Sequence, residues 1–175
     1  MAIDESRTFK LINIAVLTVS DTRTAADDTS GDILAERIKS AGHNLSARAI
    51  EKDDAGIVAN KFNTWIDDPN IDAIVSTGGT GLTGRDVTPE ALDRVKEKDI
   101  PGFGELFRWL SYKSIGTSTV QSRAHAVVTR GTYIFALPGS NGAVKDGWDG
   151  ILAEQLDSRN RPCNFVELMP RLLEK

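Results

Sequence analysis

Apolar residues along this chain cluster into short continuous runs, separated by longer stretches with one apolar flank. Residues 11–19 form the strongest run and predict a buried strand, which ends in Ser20-Asp21-Thr22-Arg23. From Thr29 or Ser30 onward, Ile33, Leu34, Ile38 and Ala41 recur at helical spacing, and Gly42 stands where a helix would stop. Residues 45–50 predict a weaker strand. The next helix is capped by Asp53 or Asp54 and turns Ile57, Val58, Phe62, Trp65 and Ile66 inward. Residues 71–75 form a third strand, feeding a glycine-rich stretch that closes at Thr88-Pro89-Glu90, a hydroxyl cap followed by proline at the first helical position.

Two helices are expected next, over 89–98 and 102–112, the second with Phe103, Leu106, Phe107 and Leu110 as its apolar stripe. Val127-Val128-Thr129 and residues 132–137 flank Arg130-Gly131, a tight connection between antiparallel strands. Pro138-Gly139-Ser140-Asn141-Gly142 leads into a last helix over 143–156. The tail, 157–175, carries Phe165, Val166, Leu168, Met169, Leu172 and Leu173, enough apolar surface to require cover, and docking on a neighbouring copy is the expectation. With no repeat or linker, the pattern predicts one α/β domain over 1–175. Its sheet is mostly parallel with one antiparallel hairpin, and helices cover both faces.

Ligands of such sheets bind outside the carboxyl ends of the strands. Three strand ends carry polar loops that can share one rim: 20–23, 76–86 and 138–142. The middle loop, from Thr77-Gly78-Gly79-Thr80-Gly81 to Arg85-Asp86, joins glycines, hydroxyls, a cation and a carboxylate. Glycines let backbone N–H groups approach an anion, so a nucleotide or phosphorylated ligand is the leading reading. A Walker A loop is excluded, because no lysine lies between Lys61 and Lys96. Gly79, Gly81 and Gly84 match the spacing of a dinucleotide fingerprint, but the helix opens only after four more residues, and a helix rather than a strand follows.

Asp53 and Asp86 are the candidate catalytic carboxylates, suited to holding Mg²⁺ against phosphate oxygens. Asp53 has a competing role as a plain helix cap. Ser30-Gly31 at one helix start and Gly139-Ser140 at another suit either anion binding or capping. Ser122-Arg123 offers a hydroxyl and a guanidinium to a phosphate. His43 reads as a surface residue past a helix end, and His125 as a strand residue without a catalytic role.

Composition narrows the classes. A chain of 175 residues with 40% hydrophobic content is long enough for a full core. A net charge of −4 argues against general nucleic-acid binding. The single cysteine, Cys163, permits no internal disulfide, and the polar N-terminal stretch does not resemble a signal peptide. No apolar run approaches bilayer length, so a cytoplasmic protein without membrane partners is expected.

At Thr77-Gly78-Gly79-Thr80-Gly81, Arg85-Asp86-Val87-Thr88-Pro89-Glu90-Ala91 and Leu137-Pro138-Gly139-Ser140 the chain resembles the MoaB/MogA family of molybdenum cofactor biosynthesis. Val19-Ser20-Asp21, Asp28-Thr29-Ser30-Gly31, Pro101-Gly102-Phe103-Gly104-Glu105 and Gly116-Thr117-Ser118-Thr119 extend the likeness, and Arg161-Pro162-Cys163-Asn164-Phe165 is similar to the MoaB branch. The resemblance implies a three-layer α/β domain assembling as a homotrimer or homohexamer. It implies molybdopterin and ATP as substrates and Mg²⁺ as cofactor: ATP adenylylates the terminal phosphate of molybdopterin and pyrophosphate leaves. By motif, the family's catalytic aspartates fall on Asp86 and Asp53, and its pterin-contacting serine on Ser122. A second class of function is a binding protein that stores or delivers molybdopterin. Asn141-Gly142, where the family often has Pro-Lys, removes a cation from the last loop.

Overall fold

The computed structural model describes residues 3–174; Met1, Ala2 and Lys175, the extremes of the N-terminal stretch and the tail, lie outside them. Six strands form one sheet: β1 (Asn13–Val19), β2 (Asn44–Glu51), β3 (Ala73–Thr77), β4 (Lys98–Asp99), β5 (His125–Thr129) and β6 (Thr132–Leu137). Their order is β2-β1-β3-β6-β5-β4, with β2, β1, β3 and β6 parallel and β5 and β4 antiparallel to their neighbours. The sheet is therefore mostly parallel with an antiparallel edge, as the pattern predicts. Sequence reading missed β4, since two exposed residues carry no alternation.

Continuous apolar runs arise because both sheet faces are covered. Ile14, Val16, Ala73, Val75, Tyr133 and Phe135 point to one side, where α1 (Thr29–Ser40), α4 (Pro101–Ile115) and α5 (Asn141–Gly147) supply Leu34, Ile38, Phe103, Phe107 and Val144. Ala15, Leu17, Ile74, Ile134 and Ala136 point to the other, against Val58, Phe62 and Leu92 of α2 (Ala55–Ile66) and α3 (Thr88–Asp93). Helix α3 is shorter than expected because the chain must turn into β4. Thr88 is not its cap: Val87 holds that position, and the buried Thr88 hydroxyl donates to the Gly78 carbonyl at 2.8 Å. A π-helical turn, Trp148–Leu152, continues α5 into α6 (Ala153–Gln155).

Part of the tail packs on its own chain, while Leu168 and Leu173 stay exposed. In α7 (Phe165–Leu168), Val166 is buried, and the Phe165 ring lies 4.9 Å from Tyr133 and 5.4 Å from Phe135. That aromatic cluster is the reason the tail folds back: it closes the end of the α1–α4–α5 core.

His43 is likewise not at the surface. The N-terminal strap covers it: Phe9 lies 5.0 Å from its ring, and its Nδ1 accepts from the Ile12 N–H at 3.4 Å. Burial lowers its pKa from 6.5, partly offset by Asp157 and by a backbone hydrogen bond with Leu156. The folded state thus binds this proton less readily than the unfolded chain. Its contribution to stability is complete above about pH 6.5 and is lost as pH falls through the lower folded pKa. Melting scans at pH 7.5 and below are expected to show this loss in the wild type and to lack it in His43→Gln. A variant with the same pH slope would remove His43 from the account.

Candidate functional site

The three polar strand ends meet at one edge of the sheet. Thr77 Oγ1 donates to the Pro138 carbonyl at 3.1 Å, and Gly78 N–H donates to the Leu137 carbonyl at 2.9 Å, tying the middle loop to the last. Arg23 ties the first to the last, with Nη2 donating to the Gly139 carbonyl at 2.9 Å. Gly78 and Gly79 adopt φ of 101° and 65°. At Gly78 a Cβ would lie 2.2 Å from the Val19 carbonyl oxygen, so only glycine fits this approach between loops. The N–H groups of Gly79 and Thr80 have no intrachain acceptor among the described residues, which leaves two donors for an anion.

The glycine loop divides the rim into two hollows. On one side Ser20, Asp21, Asp53, Gly79, Arg85 and Asp86 line a hollow of about 220 Å³. On the other, Thr80, Gly81, Ser122, Pro138 and Ser140 line a cavity of about 370 Å³, whose wall is Phe107, Ser111 and Ile115 of α4. The remaining sequence candidates face inward and hold the loops. Ser30 Oγ accepts from Arg23 Nη1 at 2.7 Å, and Gly31 N–H donates to Asp28, while Thr77, Gly78 and Gly139 make the ties already described. Ser140 Oγ caps α5 by accepting from Ala143 N–H.

Asp54, not Asp53, caps α2, accepting from Gly56 N–H and Ile57 N–H at 2.8 and 2.9 Å. This releases Asp53 toward the hollow, where it accepts from Asp21 N–H at 2.9 Å. Burial raises the pKa of Asp53, and the Asp21 and Asp86 carboxylates push the same way, against the Asp21 N–H and Arg85. Asp86 goes the opposite way. Burial raises it, but hydrogen bonds from the Thr83 hydroxyl, the Thr83 N–H and Gly81, with the Arg123 charge, bring it below the ordinary value. Three carboxylates face one guanidinium here, with Arg85 Nη1 3.8 Å from Asp21. Such a surplus of negative charge suits a cation. Among the described residues no group of three or more His, Cys, Asp or Glu forms a ready metal cage. Asp53 and Asp86 at the open rim are a donor set of the kind Mg²⁺ takes, one or two carboxylates with phosphate and water completing the shell.

Arg123 departs from expectation. Its Nε donates to the Gly81 carbonyl and Nη2 to the Asp86 carbonyl, both at 2.7 Å, and it pairs with Glu90, so the guanidinium braces the glycine loop rather than facing a ligand. Sequence reading also missed Asp28, which is fully buried and caps α1. Its carboxylate accepts from Thr18 Oγ1 and Arg48 Nη2 at 2.7 Å each, with Arg23 at 3.5 Å. An acid one residue before the expected helix start was the available signal.

The structure is thus an α/β domain of three layers with a glycine loop and paired carboxylates gathered at the strand ends. Residues 15–158 match a family described as a probable molybdopterin binding domain, and the chain belongs to that family, in its MoaB/MogA group. It is 47% identical to molybdenum cofactor biosynthesis protein B of Escherichia coli K12 over 152 residues, 87% of this chain and 89% of that one. The Bacillus subtilis counterpart is 40% identical over 147 residues, 83% and 86% of the two chains. A crystal structure of molybdenum cofactor biosynthesis protein B superposes with a TM-score of 0.83 at 38% identity, covering 86% of this chain and 94% of that one. The tungsten cofactor synthesizing protein MoaB from Pyrococcus furiosus superposes at 0.75 and 35%, covering 83% and 92%. The chain is a molybdenum cofactor biosynthesis protein by these relationships, and no described helix is long and apolar enough to cross a membrane.

Proposed function

We propose that this protein transfers the adenylyl group of ATP to the terminal phosphate of molybdopterin. A phosphate oxygen of molybdopterin bonds to the α-phosphorus of ATP, the bond to the β-phosphate breaks, and pyrophosphate leaves. The observation that supports this most is the division of labour between neighbouring acids: Asp54 caps α2, and Asp53 is left to face the hollow with Asp86. Asp53 and Asp86 would hold Mg²⁺, which when bound would offset phosphate charge. The free N–H groups of Gly79 and Thr80 would orient a phosphate, and Arg85 would add a mobile positive charge at the rim. The walled cavity beyond Gly81, with Ser122 and Ser140, would take the pterin. Such transfer needs positioning and charge stabilisation more than covalent help from the protein.

The deciding assay mixes pure protein with molybdopterin, ATP and Mg²⁺ and follows pyrophosphate. Steady release supports the enzyme. Tight molybdopterin binding without pyrophosphate would make the protein a store or carrier instead. The neighbouring acids separate the two roles. Asp54→Ala is expected to cost about 1 kcal/mol of stability and leave turnover unchanged. Asp53→Ala is expected to do the reverse, with transfer lost and melting near wild type. Loss of stability in Asp53→Ala with unchanged turnover would retire its catalytic role.

The same reading includes a cytoplasmic location and assembly as a homotrimer or homohexamer. Leu106, Trp109, Tyr112 and Ile115 along α4, and Val120 just after it, are all exposed, an apolar surface that favours cover by another copy. Sedimentation of the full chain tests this, and a monomer would overturn it.

A further inference from the structure

The cavity beside the glycine loop is lined by apolar and neutral polar side chains with one exception, Asp146 of α5, its one charged lining residue. The carboxylate is almost uncommitted. Its hydrogen bond from Ser114 Oγ is long, 3.4 Å, and that hydroxyl lies nearer the Ser111 carbonyl, at 3.0 Å. Among the described residues Asp146 makes no ion pair. Of the two lysines in the adjoining hollow, Lys113 rests over the Trp109 ring at 4.1 Å, and Lys145 precedes Asp146 on the helix. The backbone beneath it is fixed: Val144 and Trp148 are buried, and Gly147 lies so close to Leu137 that a Cβ would come within 2.4 Å of it. A rigidly mounted, half-buried acid held by a single long hydrogen bond keeps most of its acceptor capacity for a ligand that offers donors.

We propose that Asp146 is the specificity-determining residue of this cavity, accepting two parallel hydrogen bonds from the amino group and adjacent ring N–H of a 2-amino-4-oxo pterin. The proposal rests on the reading of this cavity as the pterin site and adds the atom pair that selects the ring. The pterin edge presents two coplanar donors on one side, the fork that a carboxylate accepts as a pair. A pteridine with oxygen in place of the amino group (lumazine) keeps the ring N–H but sets an acceptor against the second carboxylate oxygen, so one of the two hydrogen bonds is lost.

Pterin and lumazine are fluorescent, so both can be titrated against the full-length protein, with melting curves as a check on folding. The wild type is expected to bind pterin at least about tenfold more tightly than lumazine, the scale of one hydrogen bond to a charged group. Asp146→Asn is expected to weaken pterin binding by about 10- to 100-fold and to close the gap between the two ligands. Ser114→Ala, which removes only the distant hydroxyl, is expected to stay within about threefold, on the scale of a weak neutral hydrogen bond. Asp146→Asn binding pterin as the wild type does, with the preference intact, overturns the assignment and leaves the pterin site standing. A wild type that binds both rings equally also overturns it, without any variant. A wild type that binds neither ring overturns the pterin site and this assignment together.

Discussion

Asp86→Asn is expected to leave the fold and pterin binding unchanged while adenylyl transfer falls by about 100-fold or more, a loss of several kcal/mol of transition-state stabilisation. The substitution is close to isosteric. The amide oxygen can still accept from Thr83 N–H and Thr83 Oγ1, which hold Asp86 Oδ2 at 2.8 and 2.6 Å, so the loop keeps its shape. What disappears is a full negative charge that its surroundings hold ionised. Turnover within about twofold of wild type would exclude Asp86 from the chemistry, since no metal-holding carboxylate is lost so cheaply. Measuring pyrophosphate release and molybdopterin binding on one preparation separates this from a binding defect.

Asp28→Ala is expected to produce the largest loss of stability. The carboxylate is fully buried and collects Thr18, Arg48, Arg23 and the Gly31 N–H around one point between β1, β2 and α1. Burial alone would raise its pKa, but these partners outweigh it and keep the group ionised. Removing it takes the buried acid away from Arg48 and Arg23, each about a quarter exposed on its side chain, and leaves Arg48 with Asp32 and Arg23 with Ser30 and the Gly139 carbonyl as partners. Breaking such a pair costs about 3 kcal/mol, the low end for buried ion pairs because the arginines reach solvent. In a chain of this size that lowers the melting temperature by about 6–12 °C. A shift below about 2 °C would mean the cluster is not structural.

The centre of the sheet was legible because β1, β3 and β6 are buried on both faces and therefore read as unbroken apolar runs, such as residues 71–75 for Ala73–Thr77. Boundaries were less so. Leu11 extends the first run but lies exposed before β1, since the strand starts only where pairing with β2 begins. The rim was legible for the same reason as the strands, as each suspect loop directly follows a run. Roles within it were not. Whether Asp53 or Asp54 caps α2 depends on one peptide unit of helix phase, which residue type does not encode. Arg123 looked available to a phosphate because its partners, Gly81, Asp86 and Glu90, lie more than thirty residues away in sequence. His43 looked exposed because the strap that covers it comes from before β1 and carries little helical or strand pattern.

The brace that Arg123 supplies sets when the glycine loop becomes ordered. Fixing a residue's backbone costs about 1–2 kcal/mol of conformational entropy. Arg123 grips the Gly81 and Asp86 carbonyls, and Thr88 grips Gly78, so for both ends of the loop this cost is met as the chain folds. A ligand then meets a shaped cradle rather than a coil it must organise, and more of each contact it makes survives as affinity. Association should accordingly be fast and single-phased. In Arg123→Gln the loop would have to order on contact, and the defect would appear first as a slower on-rate.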